Sequence, residues 1–126
     1  MKKMLLSLLF IFSSIGIFSQ VEGRANRFSL SLIQNGQFNW SDWKPCDIPV
    51  FLNPPEYVYI GSMYYKITST APKEKYDDKG GESFSCNFKD DEGEYGTMTF
   101  RIDPNGNRQL YIYYDDVAAV YNIIEL

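Results

Sequence analysis

Between residues 83 and 89 the chain alternates strictly between apolar and polar. Phe84, Cys86 and Phe88 fall on one parity, and Ser83, Ser85, Asn87 and Lys89 on the other. An extended strand, whose successive side chains point to opposite faces, sorts such a segment into a buried side and a solvated side; a helix cannot. The same period of two recurs at Phe28, Leu30 and Leu32 against Ser29 and Ser31, and at Met98, Phe100 and Ile102 against Thr97, Thr99 and Arg101. Threonine, being β-branched, suits an exposed strand face. Residues 56–60, 64–70 and 109–114 read as further strands. Residues 120–126 read as the last, with Asp116 as an alternative cap for a short helical turn.

Turn chemistry falls between these segments. Asn35-Gly36 separates the first strand from a second that carries the tryptophans, and Gly61-Ser62 forms a two-residue hairpin turn. Asn53-Pro54-Pro55 breaks the chain, since proline cannot donate to a central ladder. Asp103-Pro104-Asn105-Gly106-Asn107 joins two well-patterned strands into a hairpin. Residues 71–81 are the longest polar stretch and are expected to form a mobile loop. The fold expected is all-β: an antiparallel meander of about seven to eight short strands forming a small barrel or sandwich.

The N-terminus sets the compartment. Lys2 and Lys3 precede an apolar run from Leu5 to Phe18, too short to span a bilayer comfortably but suited to a secretory signal. Residues 1–19 are expected to be a cleaved signal peptide and 20–126 a single domain, exported to the periplasm or the cell exterior. Export removes two lysines, so 12 basic against 16 acidic residues become 10 against 16, a net charge of −6. That balance disfavours nucleic acid and anionic membrane surfaces, and no membrane insertion is expected after cleavage. In an exported chain the two cysteines, Cys46 and Cys86, are expected to form a disulfide. Cys86 would reach it from the core face of its strand, and Cys46 from the connection that follows Trp43.

Histidine is absent. This excludes Ser-His-Asp and Cys-His catalysis and most transition-metal sites. No cofactor and no metal are expected. Asp103, Asn105 and Asn107 are a fragment of a calcium loop without its distal glutamate, and read instead as a solvated turn. Asp115-Asp116 would point to opposite faces of a strand, and Asp42 is a lone acid between tryptophans. A carboxylate-only glycan hydrolase therefore has weak support.

The aromatic surplus is the more informative feature. Trp40, Trp43 and ten tyrosines crowd a short chain. Tyr57 with Tyr59, and Tyr111 with Tyr113, have the alternate spacing that places each pair on one sheet face. Exposed, these six residues would offer sugar rings a stacking platform; buried, they would be packing.

Several of these segments resemble a family of small, secreted, uncharacterised bacterial proteins. The motifs are Trp40-x-x-Trp43-x-x-Cys46, Tyr57-x-Tyr59-Ile60, Cys86 with the turn Asp90-Asp91-Glu92-Gly93, the stretch Gln109-Leu110-Tyr111-Ile112-Tyr113-Tyr114-Asp115, and Val120-Tyr121-Asn122. The resemblance covers most of the chain after the signal and implies no activity. The layout also resembles lipocalin-like meander barrels at the level of fold, which does not decide function. The expected role is a non-catalytic secreted β-domain that binds an unknown protein, glycan or small apolar ligand. The alternative is a calycin-type carrier holding an apolar ligand inside a barrel.

Overall fold

The structure, a computed structural model, describes residues 21–53, 56–70 and 81–124. The expected signal, 1–19, and residues 71–80 of the expected loop lie outside the described residues. Nine strands follow one another: β1 (Val21–Gln34), β2 (Gln37–Trp40), β3 (Lys44–Asn53), β4 (Tyr57–Ile60), β5 (Met63–Thr70), β6 (Glu82–Asp90), β7 (Tyr95–Ile102), β8 (Arg108–Tyr113) and β9 (Val117–Ile124).

Each strand pairs antiparallel with a neighbour in sequence, except that β1 also takes β3 on one edge and β9 on the other. The β1–β9 ladder closes the sheet, so the fold is a barrel rather than a sandwich. β2 and β3 run along the same edge of β1, β2 against residues 31–34 and β3 against residues 21–28. The barrel proper therefore has eight strands, and β2 continues one of them as an extra strand beyond the rim. Following the registers once around returns to β1 roughly 12 residues from the start, a large stagger that goes with steeply tilted strands and a wide interior.

The turns form where the local chemistry places them. Asn35 (φ 54°) and Gly36 (φ 75°) both occupy the left-handed region, the requirement of the type I′ turn whose twist matches a hairpin. The 103–107 turn is built by Asp103. Its carboxylate accepts from the backbone N–H of Asn105 and of Asn107, each at 2.9 Å, and from the Asn107 amide at 3.0 Å. With its oxygens committed to the loop, Asp103 acts as a turn former.

A wide barrel needs large side chains to fill it, and aromatic residues supply them. Phe88 is fully buried, with its ring edge-on to Tyr65 at 4.9 Å and to Tyr114 at 5.5 Å. Val50, Leu52, Val58, Ile60, Ile67, Met98, Leu110 and Ile112 complete the core. A bulge at Ala25/Arg27 resets the parity of β1, so that Ala25 and then Phe28 both face inward, opposite Ile123 and Tyr121. One interior void among the described residues measures about 40 Å³ and is bounded by apolar groups, among them Leu52, Phe84, Cys86 and Met98. A ligand pocket ordinarily needs about 300 Å³ or more.

The expected disulfide is corrected: Cys46 and Cys86 are free thiols. Both face the interior, but at different levels. Cys86 borders the void beside Leu52, and Cys46 lies six residues before Leu52 on the same strand, roughly 20 Å at the usual strand rise. A disulfide requires Cα atoms about 4.4–6.8 Å apart. The Cys46 thiol instead donates to the carbonyl of Ala25 at 3.4 Å. The segment following Trp43 is not a connection either, since Lys44 opens β3.

Candidate binding surface

Two inward residues on β4, Val58 and Ile60, force Tyr57 and Tyr59 onto the outer wall of the barrel. On β3 the inward pair Val50 and Leu52 does the same for Phe51, and on β5 the buried Tyr65 turns Tyr64 outward. The registers then align Phe51, Tyr59 and Tyr64 across three neighbouring strands. The four rings are in continuous contact. Phe51 stacks on Tyr57 at 6.2 Å, Tyr57 meets Tyr59 at 5.6 Å and Tyr64 at 5.9 Å, and Tyr59 meets Tyr64 at 5.1 Å. Tyr59 is 39% exposed.

This aromatic strip borders a shallow open depression of about 350 Å³ between β1 and β3, walled by Phe51, Pro49, Glu22 and Arg24. Arg24 also forms an ion pair with Asp47 at 2.6 Å, which holds its guanidinium beside the depression. Aromatic faces and charged hydrogen-bonding groups thus lie on one continuous patch of the outer wall.

The remaining expected residues go elsewhere. Trp40 stacks on Phe38 at 5.7 Å, and Tyr111 on Tyr113 at 5.9 Å. The two pairs meet edge to face, Phe38 with Tyr113 and Trp40 with Tyr111. They lean from β2 and β8 over Ser29, Ser31, Ala118 and Val120 of the intervening strands, all of which are buried. Small residues beneath and large rings above make an external packing layer. Within it burial, followed by the neighbouring Tyr111, pushes the Tyr113 hydroxyl above its ordinary range. Trp43 joins neither cluster and lies under the Arg27 guanidinium at 4.4 Å. The six expected residues therefore divide among three places.

No family model, curated protein or solved structure matches the chain.

Asp42 and Asp116 are both exposed. Among the described residues no three His, Cys, Asp or Glu side chains gather as a metal site would require. The best-structured acid is Asp90, which is buried at the end of β6. It accepts from the Tyr114 hydroxyl at 2.7 Å and from the backbone N–H of Glu94 and of Glu92 at 2.8 and 3.0 Å. Burial pushes its carboxyl up, and these hydrogen bonds more than offset that, so the group ionises below the usual carboxylate range. Its role is to lock the 90–94 turn onto Tyr114, just past the end of β8. Tyr65 and Tyr114, beside it, are pushed up chiefly by burial.

Phe51 and Tyr64 were missed as site residues. Both carry a readable sign. Tyr64-Tyr65 is a doublet within a strand, so one ring must face out. In Val50-Phe51-Leu52 the unbroken apolar run conceals an alternation in which the middle residue leaves the core.

Proposed function

We propose that the protein is a non-catalytic binding domain that takes a saccharide on the outer wall of its barrel, at Phe51, Tyr57, Tyr59 and Tyr64. The observation that carries this reading is the continuity of four outward aromatic rings with an open depression bearing Glu22 and Arg24. Apolar faces of sugar rings stack on aromatic surfaces, and tyrosine provides such surface with few rotatable bonds to immobilise. Glu22 and Arg24 add one acceptor and one donor group for sugar hydroxyls. The carrier alternative draws less support from the described residues, whose interior void beside Leu52 and Cys86 measures about 40 Å³, well below the usual size of a ligand pocket.

A glycan array screened with the protein, followed by calorimetric titration of the best oligosaccharide, tests the proposal. Tyr59→Ala should weaken binding at least about tenfold, the scale of losing a central aromatic anchor. Trp40→Ala, on the other cluster, should leave the affinity within about twofold. An affinity indifferent to Tyr59→Ala would overturn the site, and an array without any bound glycan would overturn the ligand class.

A further inference from the structure

Among the described residues β2 pairs with β1 alone, so its other edge is open. The two-residue turn makes Gln34 and Gln37 the first bonded pair of the hairpin, and the Ser41 N–H donates to the Leu30 carbonyl at 2.7 Å. Residues 37, 39 and 41 therefore direct their backbone groups at β1. By alternation, the N–H and C=O of Phe38 and of Trp40 point out of the sheet.

Open edges are templates for pairing with another chain, and proteins usually blunt them with proline or charge. The edge of β3 that lies open is treated so. The Pro49 carbonyl accepts from Gly61 N–H on that side, which places Pro45, Asp47 and Pro49 at its outward positions, two of them without an N–H. The β2 edge has no such protection. Residues 28–41 hold no charged side chain, in a chain with 16 acidic and 12 basic residues. The hairpin is also apolar on both faces. Phe38 (48% exposed) and Trp40 lie on one, and Leu30 (46%) and Leu32 (59%) on the other, where they border an open depression with Val117.

We infer that β2 is the contact edge of a homodimer, in which two copies pair β2 to β2, antiparallel, about a two-fold axis through Asn39. A second copy is the occupant that the charges favour. Two acidic proteins repel wherever their charged surfaces meet, and this neutral strip is where they approach without that cost. A charged partner would find nothing on the strip to recognise. The parity is also self-complementary. Phe38 pairs with Trp40 of the second copy and Trp40 with its Phe38, which satisfies all four outward N–H and C=O pairs. Phe38 then sits directly opposite the other copy's tryptophan, a favourable cross-strand pair, and Asn39 faces its own equivalent.

Sedimentation velocity on the protein expressed as the full chain tests this. The wild type should dimerise with increasing concentration. Asn39→Lys and Asn39→Glu should each weaken dimerisation at least about tenfold, because each sets like charges opposite one another across the axis. An equimolar mixture of the two should restore the dimer. Phe38→Pro deletes an outward N–H without touching the β1 ladder and should also give monomer, with the strand signal in circular dichroism confirming the fold. A wild type that stays monomeric to about 0.5 mM would leave the edge to a strand of another protein and overturn the inference. So would a dimer that none of the three substitutions weakens.

Discussion

Phe88→Ala probes the packed interior directly. The side chain has no exposed surface and sits edge-on to both Tyr65 and Tyr114. On the opposite strand its register partner is Gly96, where an added Cβ would lie 2.5 Å from the Phe88 ring. The absent side chain at 96 is the space that the ring fills, so the register partner has no side chain to move into a truncated site. The loss should therefore fall in the upper range for a buried aromatic, about 3–5 kcal/mol. Domains of this size are stable by about 5–15 kcal/mol in total. Urea unfolding followed by tyrosine and tryptophan fluorescence should show a midpoint lowered by roughly 2 M with the slope unchanged, given slopes of about 1–3 kcal/mol per molar. The new apolar cavity should also admit a benzene-sized compound that the wild type excludes. A loss below about 1 kcal/mol would refute the packed interior. So would wild-type uptake of an apolar probe at one per barrel.

Other perturbations read other parts of the structure. Gly96→Ala should destabilise by about 1–3 kcal/mol in thermal melts, since the new methyl meets the backbone carbonyl of Tyr113 as well as Phe88. Tyr114→Phe removes the hydroxyl that donates to Asp90 and should cost about 1.5–3 kcal/mol, the range for a hydrogen bond to a charged group. Asp90 ionises below the usual carboxylate range when folded, so below about pH 4 the unfolded chain takes up the proton first. Its stabilising contribution should be complete above that pH and disappear as pH falls through the folded value, and Asp90→Asn should flatten this part of the melting-temperature profile. Both cysteines should remain thiols. Burial pushes the Cys86 thiol up to about 12, so it should resist alkylation until the protein unfolds. A mass 2 Da lower than the dithiol, by about the two hydrogens a disulfide loses, would contradict the separation of Cys46 from Cys86.

The strands with one buried face were legible because a period of two is what such strands require. Phe84, Cys86 and Phe88 point inward as their alternation indicated, and Gly61-Ser62 and 103–107 turn where their chemistry placed them. Three features were not legible. The first half of β1 conceals its parity behind the Ala25/Arg27 bulge and presents small residues, Gly23 and Ala25, to the core. β3 carries Pro45, which read as part of a connection, and Pro49; both direct their backbone away from β1, where the missing N–H costs the β1 ladder nothing. Closure rests on the β1–β9 ladder, a long-range pairing that leaves no trace in either segment's local pattern. The disulfide expectation failed for a related reason. Parity shows that a cysteine faces inward, and the level at which it does so depends on the stagger of the whole barrel. In the site, Tyr57 and Tyr59 were legible as a pair on one sheet face, with the choice between core and surface left open, whereas their partners Phe51 and Tyr64 arrive from other strands through the register.

Mapping backbone amide shifts by NMR, as an array-selected oligosaccharide is titrated into the labelled protein, tests the binding surface most directly. The largest shifts should fall on residues 22–24, 49–53, 57–59 and 64–66, with the core positions around Phe88 and Leu110 unmoved. Shifts concentrated on inward residues, or on the Trp40 and Tyr111 cluster, would contradict it.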